Sequence, residues 1–426
     1  MVINRDSYLK QLIDKQDNGM IKVITGLRRS GKSYLLYNLF RKYLLDNVTD
    51  EKHIIYLALD AEENKVYCDS SKLNEYLLSK ISNEKEKYYI LLDEIQMVDG
   101  FVPVLNGLLY KNNVDVYVTG SNSKMLSSDV STEFRGRGDV IHLYPLTFKE
   151  YLKAYDGDKD DAWNDYVLYG GLPYILFCKS EEDKAEYLKN LYKETYLADI
   201  KERRNIKNEQ LLNDILDVLS SQIGSLTNPT RLTNIINDRY LKDSKTKKVD
   251  LVNKNTIDSY IDYIEDCFLV NKSQRYDIKG NHYINSPYKY YYEDIGLRNA
   301  RLNFRQIDDG HIMENIIYNE LLSRRCNVDI GVVETFDRDN KGKTIRINYE
   351  IDFIVNKGAK KYYIQSVYQL NDDVKTNQEK KSLSHIGDSF KKIIIVKDNI
   401  KTRIDNDGII IMGIYYFLLN ENSLDD

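Results

Sequence analysis

A chain of 426 residues, 42% apolar and 30% charged, has room for two or three domains with separate cores, and its fractions are those of soluble globular proteins. The formal net charge of −5 excludes a globally basic polyanion binder, so any nucleic-acid contact must come from local patches. The four cysteines, Cys68, Cys178, Cys267 and Cys326, lie far apart without a C-x-x-C pair, which reads as free thiols in a reducing compartment and argues against a structural zinc site.

The stretch Met1–Asp6 lacks the apolar core of a signal peptide, so the expected location is cytoplasmic. Ser7 is the expected cap of a first helix over Tyr8–Lys15. Ile21-Lys22-Val23-Ile24-Thr25 is β-branched and apolar and reads as a buried strand. It runs into Gly26-Leu27-Arg28-Arg29-Ser30-Gly31-Lys32-Ser33, which has the form G-x-x-x-x-G-K-[ST] of a phosphate-binding loop, and Tyr34–Phe40 follows as a helix with one apolar face. Strand, glycine loop and helix are the context that motif needs. Gly26 and Gly31 let the backbone wrap phosphates with its N–H groups pointing inward, and the helix start adds a favourable dipole. Lys32 is expected to reach the β- and γ-phosphates of a nucleoside triphosphate, the Ser33 hydroxyl to coordinate Mg²⁺, and the run Gly26 to Tyr34 to line the nucleotide.

Strands and helices then alternate: a strand over His53–Leu59, a helix over Lys72–Ile81, a strand at Tyr88–Asp93, a short helix near Val102–Tyr110, and strands at Val114–Thr119 and Val140–Tyr144. That alternation predicts an α/β fold with a mainly parallel sheet and helices on both faces. The third strand ends in Asp93-Glu94, a Walker B pattern, with Asp93 as a Mg²⁺ ligand and Glu94 as the residue that polarises the attacking water. Thr119, Ser121 and Asn122 end the next strand. In position and chemistry they resemble the AAA+ sensor 1 element, a polar tip between the Walker B acids and the γ-phosphate, with Asn122 able to orient water; a plain polar turn is the alternative. Arg135, with Arg137 as second choice, stands shortly after this strand, where the AAA+ ATPases that these motifs resemble carry a finger toward a neighbour's nucleotide; that role would require a homo-oligomer, and a solvated Arg-Gly loop is the alternative. Thr147–Tyr155 reads as a helix.

Five segments in order resemble a prokaryotic AAA-type (AAA+ superfamily) P-loop ATPase family: Gly26–Ser33, Leu-Leu-Asp-Glu-Ile-Gln at 91–96, Thr-Gly-Ser-Asn-Ser-Lys-Met-Leu at 119–126, Leu-Thr-Phe-Lys-Glu-Tyr-Leu at 146–152 and Gly-Gly-Leu-Pro-Tyr at 170–174. The resemblance covers the first 175 residues. It implies an AAA+-like core over 1–175, a helical winged-helix domain over 176–305 and a restriction-endonuclease-like domain over 306–426.

The middle region is helical by pattern. Helices are expected at Leu211–Ser220, at Arg231–Tyr240 after the capping sequence Asn228-Pro229-Thr230, and at Thr256–Phe268, with two wing strands at Leu269–Tyr276 and His282–Ile284. Three helices and a hairpin fit a winged helix. Lys245, Lys247 and Lys248 in the loop and Lys272 and Arg275 in the wing are the candidate DNA contacts, although the third helix carries Asp258, Asp262, Glu265 and Asp266, which repel phosphate. A packing module between domains is the alternative. Lys289–Leu297 reads as a strand entering a turn.

The last third has its own strand–helix order: a helix over His311–Arg325, strands at Ile330–Phe336, Ile345–Val355 and Lys361–Leu370, a helix over Thr376–Ser389 and a buried strand at Lys392–Val396. It resembles the PD-(D/E)XK nuclease fold. The resemblance implies a metal site from a helix acid, Glu314 or Glu320, with Asp352 and an acid-x-Lys on the next strand. Here that motif reads Gln365-Ser366-Val367, with Gln for the acid and no lysine, which counts against nuclease activity; Lys360 or Lys361 would have to substitute. The longest apolar run, Ile409–Leu419, is interrupted by Gly413 and too short to span a bilayer, so no membrane partner is expected. The chain thus reads as an ATP- and Mg²⁺-dependent ATPase with DNA as a candidate partner. A nucleotide-gated binding switch with negligible turnover and an ATP-coupled nuclease are the alternatives.

Overall fold

Five apolar runs in the first third of the chain form one parallel sheet. In this computed structural model, which describes residues 2–121, 134, 136–198, 200–201, 206, 208–243, 251–305, 308–338, 344–368 and 380–425, they are β1 (Ile21–Thr25), β2 (Ile54–Ala58), β3 (Tyr88–Asp93), β4 (Val114–Thr119) and β5 (Gly138–His142). The order across the sheet is β2-β3-β4-β1-β5. All four pairings are parallel. Because side chains alternate across a strand, β3 sends Tyr88, Ile90 and Leu92 to one face and Tyr89 and Leu91 to the other. Both faces are covered, as parallel sheets require. Leu73 and Leu77 of the Ser70–Lys80 helix and Val104, Leu105 and Leu108 of the Phe101–Leu108 helix pack one side. Tyr8, Leu12, Leu35, Leu36, Phe40 and Leu44 pack the other.

These elements lie in the first of two units, which comprises Met1–Leu146 with Leu172–Tyr174 and Asp266–Phe268. Ser7 does not cap the first helix, which spans Asp6–Asp14 with Arg5 at its N-cap; the Arg5 carbonyl accepts from the Tyr8 and Leu9 amides at 3.0 and 2.9 Å. The helix after the glycine loop is π-wound over Tyr34–Phe40 and α-wound over Arg41–Asn47.

The second unit comprises Thr147–Gly171, Ile175–Glu265 and Leu269–Asp426. Its first helix, Phe148–Ala154, begins with a capping box between Thr147 and Glu150. Helices follow at Lys159–Tyr169 and Glu181–Asn190, then at Glu209–Ser221, Pro229–Asp243 and Lys254–Asp266, with the Asn228 side chain accepting from the Arg231 amide at 2.7 Å. The sheet of this unit has eight strands: β6 (Val270–Asp277), β7 (His282–Tyr292), β8 (Asn327–Arg338), β9 (Thr344–Lys357), β10 (Lys360–Val367), β11 (Lys391–Val396), β12 (Arg403–Ile404) and β13 (Ile410–Gly413). They are ordered β12-β13-β11-β10-β9-β8-β6-β7. The two strands expected as a free wing are therefore built into a larger sheet. β6 is antiparallel to β7 from Val270 to Asp277 and parallel to β8 from Arg275 to Asp277.

After β7 the chain forms a helix, Ile295–Arg301, where the sequence suggested only a turn. Asp294 caps it by accepting from the Leu297 amide at 3.0 Å, and also accepts from the Gly171 amide at 2.8 Å. Gly296 has no room for a side chain, since a Cβ there would stand 2.0 Å from the Tyr169 carbonyl oxygen. The helix Asp309–Ser323 packs against the sheet and carries the buried Glu314 and Asn315.

Candidate nucleotide site

The carboxyl ends of β1, β3 and β4 lie side by side, because β4 pairs in parallel with both neighbours. Ligands of open α/β sheets bind beyond that edge. β1 delivers the glycine loop there, β3 delivers Asp93 and Glu94, and β4 delivers Thr119 and Ser121.

The loop is shaped by its left-handed residues. Gly26 has φ 137°, Arg29 φ 65° and Gly31 φ 99°. A Cβ on Gly26 would stand 2.2 Å from the Leu143 carbonyl oxygen, so only glycine lets the loop leave β1 beside β5. Lys32 is buried, and its Nζ donates to the Gly26 and Leu27 carbonyls, each at 3.0 Å. Leu27 and Ser30 are buried, Arg28 and Tyr34 are half-buried, and Arg29 and Ser33 are exposed.

Thr119 Oγ1 donates to Asp93, and it accepts from the Glu94 amide at 2.9 Å. Burial pushes the Asp93 carboxyl above the usual carboxylate range; the Thr119 and nearby Ser33 hydroxyls oppose this, while the charges of Glu94 and Asp60 add to it. The glycine loop thus comes to the tip of β3 at Ser33. Glu94 has φ 54°, which turns its side chain away from the strand direction. Its carboxylate accepts from Ser121 Oγ at 3.1 Å and from the Gln96 amide nitrogen, which also donates to Ser121 Oγ at 3.3 Å.

Ser33, Asp93, Glu94, Thr119 and Ser121 are therefore together. Asn122 and Arg135 lie outside the described residues, as do Lys245, Lys247 and Lys248. Arg137 is exposed, with its guanidinium 5.8 Å from the Tyr110 ring centroid. Lys272 lies 4.7 Å from the Tyr288 ring centroid, and Arg275 is half-buried in β6 opposite Ile284 and Ile330. Both lie on β6 of the β6–β7 hairpin, whose strand β7 is at the edge of the sheet.

Three contributors were not read from sequence. Gln96 stands two residues after Glu94, and its role needs the left-handed turn at Glu94 to be seen. The guanidinium of Arg5 is buried, donating to the Ser30 carbonyl at 3.4 Å and the Tyr144 carbonyl at 2.6 Å, and nothing local in the sequence marks it. Pro173, from the Gly-Gly-Leu-Pro-Tyr segment, has its ring 3.9 Å from where a Cβ on Gly31 would stand.

In the C-terminal unit the structure brings Glu314, Asp352 and Gln365 together, joined by Glu350 and Lys289. Glu320 is elsewhere, paired with Arg324 at 2.7 Å. Lys360 pairs with Asp425 at 2.5 Å and Lys361 lies 4.9 Å from the Phe390 ring centroid, so neither enters the cluster.

Residues 18–152 match a family model described as an AAA domain, and residues 160–308 match one described as a domain of unknown function. An uncharacterized protein of Haemophilus influenzae is 33% identical over 399 residues, covering 92% of this chain and 93% of the relative. An uncharacterized protein of Methanocaldococcus jannaschii is 30% identical over 399 residues, covering 89% and 80%. Among solved structures, Cdc6p from Pyrobaculum aerophilum covers 74% of this chain and 94% of its own at 12% identity and a TM-score of 0.33, too loose an overlay to bear on function. Among the described residues, no helix is long and apolar enough to cross a membrane.

Proposed function

We propose, from the premise that the chain belongs to the same family as the uncharacterized Haemophilus influenzae protein and carries an AAA domain over residues 18–152, that it is a Mg²⁺-dependent ATPase cleaving the β–γ bond of ATP. The observation that carries this reading is the convergence of the glycine loop, with Lys32 folded into it, and the Asp93-Glu94 pair at the carboxyl ends of the parallel strands β1, β4 and β3. The Ser33 hydroxyl and the Asp93 carboxylate are hard oxygen donors and fit Mg²⁺, which when bound would neutralise phosphate charge. Lys32 exchanges its two loop carbonyls for phosphate oxygens, and the loop amides hold the same oxygens. Glu94 orients the attacking water, and Ser121 and Gln96 fix the direction of its carboxylate. Asn122 is proposed to contact the γ-phosphate. Arg135, or Arg137, is proposed to act across an oligomer.

A second reading is a nucleotide-gated switch with slow turnover. It is favoured by Ser121 and Gln96, which both donate to Oε2 of Glu94 and so occupy one of the two oxygens that could take hold of a water. Coupling to DNA belongs to either reading and rests on Lys245, Lys247, Lys248, Lys272 and Arg275. The winged-helix and nuclease-like identities expected for 176–305 and 306–426 remain part of this proposal, although the sheet that joins β6 and β7 to β8–β13 crosses the boundary at 305.

The test is ATP hydrolysis and ATP binding by the full chain with and without Mg²⁺, beside Lys32→Ala and Glu94→Gln. The ATPase reading expects Mg²⁺-dependent turnover, lost in both variants, with binding kept in Glu94→Gln and lost in Lys32→Ala. Tight binding with background turnover in the wild type supports the switch. No ATP binding at all overturns both. Stimulation of the rate by DNA that fades with salt would support the nucleic-acid partner, and an unchanged rate would remove it.

A further inference from the structure

Within the C-terminal unit, four charged side chains converge in a buried place. Lys289, in β7, has its Nζ 2.9 Å from Glu314, 2.8 Å from Glu350 and 3.4 Å from Asp352. The three acids come from the Asp309–Ser323 helix and from β9, and Lys289, Glu314 and Asp352 are all at least nine-tenths buried. The resemblance to PD-(D/E)XK nucleases implies a divalent cation here. The residues present do not fit one.

Glu314 Oε1 and both carboxylate oxygens of Asp352 are already engaged. Glu314 Oε1 accepts from the Tyr291 hydroxyl at 2.6 Å as well as from Lys289. Asp352 Oδ1 faces Lys289 and its Oδ2 accepts from the Ser366 amide at 2.9 Å. Gln365 stands where the resemblance would put an acid, and its carbonyl oxygen accepts from the Asp352 amide at 3.2 Å. Gly224 closes in on Glu314: a Cβ there would lie 3.3 Å from both carboxylate oxygens. The ammonium itself sits among the three carboxylates, the position from which a cation neutralises them.

Burial alone would depress the Lys289 ammonium, yet Glu314, Asp352 and Glu350 hold it well above the usual lysine range. Burial, then the Glu314 charge, pushes the Asp352 carboxyl well above the usual carboxylate range. A charged lysine among acids that share their charge is a stable arrangement without metal, whereas an isolated buried carboxylate is not.

We propose that Lys289 is a built-in cation that takes the place of a divalent metal, so that this cluster is a packed ionic core and not a hydrolytic centre. The proposal is independent of what the nucleotide site does. The test uses the full chain without nucleotide. Mn²⁺ titrations followed by electron paramagnetic resonance are expected to superimpose for wild type and Glu350→Gln, whose partly exposed side chain makes it the milder change. Lys289→Met is expected to melt about 5–10 °C lower, and millimolar Mn²⁺ is expected to restore at least half of that loss while leaving the wild type unmoved. Mn²⁺ binding present in the wild type and absent from Glu350→Gln overturns the proposal, as does Mn²⁺-dependent nicking of plasmid DNA that Glu350→Gln abolishes. A folded Lys289→Met variant whose melting point ignores Mn²⁺ also overturns it. If Lys289→Met does not fold, the wild-type and Glu350→Gln titrations decide alone.

Discussion

The hydroxyl of Thr119 donates to the carboxylate of Asp93 across the parallel β3–β4 pair, and the same oxygen accepts the amide of Glu94 at 2.9 Å. One side chain at the end of β4 thereby fixes both acids at the end of β3. Thr119→Val keeps the shape and removes the hydroxyl. It is expected to lower kcat of ATP hydrolysis by about tenfold to a hundredfold, with ATP affinity changed by less than about threefold. Steady-state kinetics and an ATP-binding titration separate the two, and an unchanged kcat would dismiss the positioning role.

Gly26 combines φ 137° with a neighbouring carbonyl only 2.2 Å from where a Cβ would be. Gly26→Ala is expected to lower the unfolding free energy by about 3 kcal/mol or more and to abolish ATP binding. Gly19, with φ 73° and nothing within 4 Å, is the control: Gly19→Ala is expected to cost only about 1 kcal/mol. Urea unfolding of the two variants measures the difference, and equal losses would refute the close approach.

Lys22 and Asp115 form a buried ion pair between β1 and β4, and Asp115 also accepts from the Tyr117 hydroxyl at 2.8 Å and the Asp17 amide at 3.1 Å. Removing one partner strands the other charge. Lys22→Met is expected to destabilise the chain by about 3–5 kcal/mol, and adding Asp115→Asn to recover roughly half of that. Chemical denaturation of the wild type, both single variants and the double variant measures the coupling; additive losses would contradict it.

Burial pushes the Asp294 carboxyl up to about 6, against the amides of Gly171, Leu297 and Gly296 that bond it. Between its unfolded value of 3.8 and about 6 the folded chain keeps a proton that the unfolded chain has released. Stability from this group is therefore full below pH 4, falls as pH rises through 6, and is level above that, by about 3 kcal/mol at most. Asp294→Asn has no proton to lose, so the melting point of the wild type should fall more steeply from pH 4 to 6 than that of the variant. Parallel pH profiles would rule this out.

Much of the candidate nucleotide site is legible in the sequence because the chemistry proposed for it is local. Gly26–Ser33 needs glycines, a lysine and a hydroxyl at fixed spacing, and Asp93-Glu94 needs only an apolar strand before it. The sheet strands were legible for the same reason, since β-branched runs bounded by turns have few alternatives. The helix at Ile295–Arg301 was not, because Asp294 and Gly296 are explained by Gly171 and Tyr169, more than a hundred positions away in the chain.

What the sequence by itself determined is the phosphate loop, the acids after β3 and the parallel α/β order, all set by patterns within a few residues. Tertiary structure alone decided that Gln96 and Ser121 hold Glu94, that Arg5 braces the loop, and that Lys289 meets Glu314, Glu350 and Asp352. Those partners come from different strands and helices, and burial makes their pairing obligatory: a charge withdrawn from water must find its counter-charge wherever the fold brings one. No spacing along the chain encodes that meeting.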